Sequence, residues 1–218
     1  MNKTHKHLAL LAMGVAFTAL LAGCAMAPTS QQVDEATRQV LKNSFREQGI
    51  AKMDRLALDA SNQACSDAAG APLDEKLAKS IEAANLQTVK FPSDGKFIGN
   101  WREGEKIAQN GRGLTWSDKP GEANGGSCYN CHQISKAELS FGSIGPSLYN
   151  YGKLRGVSDP AAEASQPIVE YTWGKLWNAK AYNACSEMPR FGHAGILNEQ
   201  QIRDVMALLL DPQSPVNK

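Results

Sequence analysis

After the apolar stretch from Leu8 to Leu21, no second run in the 218 residues is long or apolar enough to span a bilayer. That excludes a membrane protein held by further spans. No basic face stands out and the formal net charge is only +1, so nothing in the composition suits a nucleic-acid backbone. No stretch alternates convincingly as a strand does, which places the fold class as mainly α. Cysteine is sparse. Of five residues, Cys24, Cys65 and Cys185 are isolated, and only Cys128 and Cys131 stand as a pair. A tetrahedral zinc site therefore lacks its second half, with only His193 left as a plausible nitrogen ligand beyond the pair and its neighbour His132.

What the chain does have is Cys128-Tyr129-Asn130-Cys131-His132, a C-x-x-C-H pentapeptide. Two thiols three positions apart can add to the two vinyl groups of haem as thioethers. The adjacent imidazole then binds the iron as its proximal ligand. A thioredoxin-like redox motif would need a strand running into a helix, but the flank Asn124-Gly125-Gly126-Ser127 is loop. The pentapeptide reads as the attachment site of one covalent haem c, and the chain as a c-type cytochrome.

The N-terminal residues fit export, which covalent haem attachment of this kind requires. Lys3 and Lys6 precede the apolar run as a charged n-region and h-region. The run ends in Leu21-Ala22-Gly23-Cys24, which resembles the bacterial lipobox, where the cysteine is lipidated and becomes the first mature residue. Residues 1–23 are then a signal peptide. A rival cut follows the A-x-A pattern Ala25-Met26-Ala27, but it leaves Pro28 just after the cut, where signal peptidase tolerates proline poorly. Both cuts send the chain to the periplasm, and membrane contact is expected only through a lipid on Cys24. Loss of residues 1–23 removes two lysines and no acids, leaving 21 basic against 22 acidic residues and a net charge of −1. Cys65 and Cys185 remain. An oxidising compartment favours a disulfide between them; the alternative is two inert buried thiols.

Residues 24–92 read as a tether followed by a helical extension. Val33, Ala36, Val40, Leu41 and Phe45 recur at helical spacing, and after Gly49 the stripe continues through Ile50, Met53, Ala57, Ala60 and Ala64 to about Ala69. A shorter helix carries Leu73, Leu77, Ile81 and Ala84 in phase. Phe91-Pro92-Ser93-Asp94-Gly95 is a turn, and a cytochrome c domain is expected over 93–218. Its first helix runs from Trp101 to Asn110, stopped by Gly111. A helix over Ile168 to Ala181 carries Val169 and Trp173, with Leu176 or Trp177, on one side. The last helix opens with Asn198 and Gln201 at capping-box spacing, presents Ile202, Val205, Met206 and Leu209, and stops at Asp211-Pro212. First and last helices cross in a cytochrome c domain, and Gly104 suits the close approach. Gly145-Pro146-Ser147-Leu148 is placed to offer a backbone carbonyl to the ring N–H of His132, unless it is an ordinary proline turn.

A low-spin haem used for electron transfer takes a sixth ligand, commonly methionine sulfur or a second histidine. Met26 lies in the tether, and Met53 and Met206 lie on helical stripes where packing is the usual role. Met188 stands in Cys185-Ser186-Glu187-Met188-Pro189-Arg190-Phe191-Gly192, a loop that can present a thioether without competing helix geometry. The candidate iron ligands are therefore His132 and Met188, with His193 the runner-up to Met188.

Several segments taken together resemble the SoxX family, the cytochrome subunit of bacterial sulfur oxidation. They are Phe97-Ile98-Gly99-Asn100-Trp101, Gly125 to His132, Gly145 to Leu148, Cys185 to Gly192 and Leu210 to Lys218. The resemblance covers residues 60–218. It implies a heterodimer with SoxA, a second c-type cytochrome, in a thiosulfate-oxidising complex with L-cysteine S-thiosulfotransferase activity. That complex joins thiosulfate to a cysteine of the SoxYZ carrier and releases two electrons. The resemblance puts sulfur chemistry on the SoxA partner and leaves this chain no catalytic residue. Its role is to pass electrons to small soluble cytochromes c. Cys65 and Cys185 are then a structural pair. The alternative is a free-standing, lipid-anchored cytochrome of another respiratory chain.

Overall fold

The structure, a computed structural model, describes residues 27–218. The expected signal peptide over 1–23 and the expected lipidation of Cys24 lie outside the described residues. The fold is mainly α. Among the described residues the one β feature is an isolated bridge between Gln48 and Ala51. The chain divides into two compact units between Arg46 and Glu47. Residues 47–92, expected with the extension, thus share a compact unit with residues 93–218.

In the first unit α1 spans Ser30–Ser44 behind a capping box between Thr29 and Gln32. The helical pattern expected to run on to Ala69 does not do so. In the second unit the chain passes through the Gln48–Ala51 bridge and a short 3-10 turn, Met53–Leu56. Only at Ala60–Asp67 does it resume as α2, capped by Asp59. Two causes are visible. Gly49 has φ +52°, outside the helical region, and a Cβ there would lie 1.9 Å from the Trp116 carbonyl oxygen. The Arg55 guanidinium also donates to the carbonyls of Leu114 (2.6 Å) and Ile50 (2.9 Å). Contacts with a distant loop outweigh a modest helical propensity.

The helix α3, Glu75–Leu86, is capped by Asp74 and buries Ile81 and Asn85, while Leu77 stays exposed. Beyond the turn closed by Gly95 N–H to Pro92 C=O, α4 spans Trp101–Gln109. A short α5, Tyr151–Leu154, and α6, Gln166–Trp177, follow. The helix expected to reach Ala181 stops at Asn178. That fully buried amide caps Lys180 N–H and donates to Asn85 (3.0 Å) and Thr88 (2.9 Å), and a separate turn covers Ala179–Ala181. Satisfying a buried amide takes precedence over continuing the helix. Trp173 and Trp177 stack on α6, and their indole N–H groups donate to the carbonyls of Lys90 and Thr88.

The last helix, α7 at Glu199–Leu210, has the capping box between Asn198 and Gln201 and buries Ile202, Val205, Met206, Leu208 and Leu209. It packs on α4 with backbone against backbone. A Cβ on Gly104 would lie 2.1 Å from the Asp204 carbonyl oxygen and 3.0 Å from Leu208 Cβ. Asn100 N–H also donates to the Asp204 carboxylate. Gly104→Val is expected to lower stability by about 3 kcal/mol, at the upper end of overpacking costs because backbone cannot move aside as a side chain can. The denaturation midpoint checks this; an unchanged midpoint would count against close packing at this crossing.

Candidate haem-binding site

The C-x-x-C-H segment is presented at the end of α4. Gly126 N–H donates to Ile107 C=O and Ser127 N–H to Asn110 C=O, so the loop folds back on the helix it leaves. Ser127 takes a left-handed conformation, φ +50°, and opens a 3-10 turn over Cys128–Asn130. Cys131 and His132 N–H both donate to Cys128 C=O, at 3.1 and 2.9 Å. Side chains three apart in such a turn project from the same side. That brings the two thiols together, and they are not joined to each other. Burial pushes the Cys128 thiol up to about 12, so it stays protonated at neutral pH. Thiol–disulfide exchange wants the opposite, a thiolate stabilised near neutrality.

The His132 ring is fixed from behind. Its Nδ1 lies 2.7 Å from the Pro146 carbonyl oxygen. A carbonyl only accepts, so Nδ1 carries the proton and Nε2 keeps the lone pair that ligates a metal. The segment supplying this carbonyl runs along the motif. Gly142 N–H donates to Tyr129 C=O, Gly145 N–H to Cys131 C=O and Leu148 N–H to Gln133 C=O. Gly145 lies against the imidazole, and a Cβ there would be 2.2 Å from Cε1. The segment that flanks the motif also carries two nearly uncovered apolar side chains, Leu139 (94% exposed) and Ile144 (82%). Such groups beside a binding motif suit a large flat apolar partner. Among the described residues no three His, Cys, Asp or Glu side chains converge as a metal site. Iron at His132 would need its remaining ligands from elsewhere, and a porphyrin supplies four.

Met188 sits in the loop between α6 and α7, half-buried and packed against the core, its N–H donating to Ser186 Oγ. The loop is anchored at both ends. Upstream, Cys185 is disulfide-bonded to Cys65, with Cα atoms 5.6 Å apart. Downstream, Gly192 and His193 N–H donate to Trp177 C=O. His193 is exposed; partial burial and the neighbouring Arg190 guanidinium hold its imidazole below the ordinary range, with Asp59 opposing. Met206 is fully buried in α7, and Met53 is half-buried in its 3-10 turn.

Three further side chains belong to the loop's surroundings, and nothing in their local sequence marks them. Glu82 accepts from Ala184 N–H, Lys180 donates to Ala184 C=O, and Asp59 pairs with Arg190. Burial and Arg190 lower the Lys180 ammonium from its ordinary value, while Glu187 and Asp59 oppose that.

No family model matches the chain. An uncharacterized lipoprotein of Aquifex aeolicus (strain VF5) is 33% identical over 199 residues, which takes in 88% of this chain and 91% of the relative. At that identity over most of both chains, the protein belongs to the family of this Aquifex lipoprotein.

Proposed function

We propose that the protein is an exported, mono-haem c-type cytochrome that relays electrons. The observation that carries this is the C-x-x-C-H turn with His132 Nδ1 bonded to the Pro146 carbonyl at 2.7 Å. It supplies two adjacent free thiols and a histidine whose tautomer is set for ligation. Cys128 and Cys131 would hold haem covalently, His132 would ligate through Nε2, and Met188 would supply the sixth ligand. The group supplies a one-electron couple when bound. The chain holds His132 in one orientation through the Pro146 carbonyl and carries Leu139 and Ile144 on the segment that flanks the motif. A thioether ligand favours the ferrous state and so raises the potential.

Met188→Ala tests the ligand set. The oxidised protein is expected to show the weak methionine-to-iron charge-transfer band, and the variant to lose it and bind added imidazole. An unchanged spectrum would remove Met188 from the iron.

On the resemblance to SoxX, we further place the chain as the electron-transfer subunit of a SoxAX-type complex in the periplasm. SoxA is then its heterodimer partner, SoxYZ receives the thiosulfate sulfur, and small cytochromes c accept the electrons. Thiosulfate turnover, measured with and without a SoxA-type partner, tests this role; isolation of the chain as a lone monomer counts against it. The second reading is a free-standing cytochrome anchored through a lipid on Cys24. The lipoprotein name of the Aquifex relative favours it. Mass spectrometry of the mature N-terminus tests the anchor.

A further inference from the structure

The loop carrying Met188 is held by residues more than a hundred positions earlier in the chain. Ala184 N–H donates to the Glu82 carboxylate at 3.1 Å, 102 residues apart. Cys185 is bonded to Cys65, 120 residues apart. Arg190 pairs with Asp59, 131 residues apart, and its side chain is only 16% exposed. These ties at 184, 185 and 190 bracket Met188 on both sides. Their partners all lie on or next to α2 and α3. Those helices are themselves docked to the end of α6 through buried amides: Asn178 donates to Asn85, which donates to Ser61 (both 3.0 Å).

We propose that α2 and α3 form a clamp that positions Met188 as an iron ligand, with Glu82 and Asp59 as its positioning residues; this rests on the haem and Met188 assignments above. A thioether is a neutral, weak ligand on a loop that would otherwise be free to move. Ordering each loop residue costs about 1–2 kcal/mol, and that cost weakens the ligand against any competitor for the iron. Ties that order the loop beforehand remove it. The two residues act differently. Glu82 accepts from a backbone N–H, a role glutamine can keep. Asp59 does two things: its carboxylate pairs with Arg190, and it caps α2 by accepting from Asn62 N–H at 2.8 Å. The substitution Asp59→Asn would keep the cap, since asparagine is among the best N-cap residues, and would lose the ion pair.

The test uses ferric holoprotein, titrated with imidazole as the competing ligand while the methionine–iron band is followed. Glu82→Ala and Asp59→Asn are each expected to bind imidazole about 5- to 10-fold more tightly, as loss of one ordinary hydrogen bond implies. Glu82→Gln is expected to stay close to wild type. Should Glu82→Ala fail to fold, Asp59→Asn decides alone, because its helix cap is kept. Wild-type imidazole affinity in Asp59→Asn, or in a folded Glu82→Ala, overturns the clamp. The assignments beneath it fail separately: a wild-type protein with no methionine–iron band, or a Met188→Ala variant binding imidazole no better, removes the ligand itself.

Discussion

A Cys128→Ser/Cys131→Ser double variant is expected to lose all haem that survives denaturation. Haem staining of a denaturing gel and extraction into acidified organic solvent measure this directly. Thioether formation needs sulfur, and a serine hydroxyl does not add to a vinyl group under the same conditions. With both thiols gone, His132 offers one coordinate bond, which denaturation breaks. Each single variant should keep a reduced amount through one thioether, with a shifted absorption band, because the remaining thiol still projects from the same 3-10 turn. The apolar side chains Leu139 and Ile144 predict a second consequence. They are 94% and 82% exposed, and in the double variant nothing covalent holds a cover over them. The variant is expected to bind hydrophobic dyes and to aggregate more readily than wild type. Wild-type protein with no denaturation-resistant haem would end the cytochrome reading. Tight zinc binding through the two thiols would put the metal alternative in its place.

Much of this site is legible in the sequence because its chemistry is local. The pentapeptide carries its own spacing, and the Pro146 carbonyl needs only a short chain reversal to reach His132, at 2.7 Å. The α7 start is readable for the same reason: both halves of the Asn198–Gln201 capping box lie within one turn. The approach of α4 to α7 is readable at Gly104, where a side chain has no room. What the sequence does not reveal depends on distant partners. The helical stripe past Phe45 looks continuous, yet Arg55 bonds the Leu114 carbonyl, 59 positions away, and Gly49 sits against Trp116. The helix stop at Asn178 depends on Asn85, 93 positions earlier. Residues 47–92 read as part of an extension because the Phe91–Gly95 turn sets them off from the residues that follow. Their packing is set instead by ties such as Glu82 to Ala184 that no local pattern encodes.

A Cys65→Ser/Cys185→Ser double variant of the haem-loaded protein is expected to be less stable by about 3–5 kcal/mol. The bond closes a loop of 120 residues. The chain-entropy model gives about 5 kcal/mol for a loop of that size, and removing native disulfides usually costs about 2–5. For a unit of this length, each kcal/mol corresponds to roughly 2–4 °C in the melting midpoint, so a fall of about 6–20 °C is expected by calorimetry. The double variant is the right comparison, because a single serine leaves a thiol free to pair elsewhere. Reduction of the wild type should reproduce its midpoint. The loss should also be uneven across the molecule. Cys185 is three residues from Met188, while the α4–α7 crossing lies elsewhere and has its own bonds at Gly99 and Asn100. Amide exchange is therefore expected to quicken first over residues 180–190 and in α2, with α7 last to open. Uniform quickening, or a midpoint shift below about 2 °C, would mean that Asp59, Glu82 and the buried Asn85–Asn178 bond hold the loop without the disulfide.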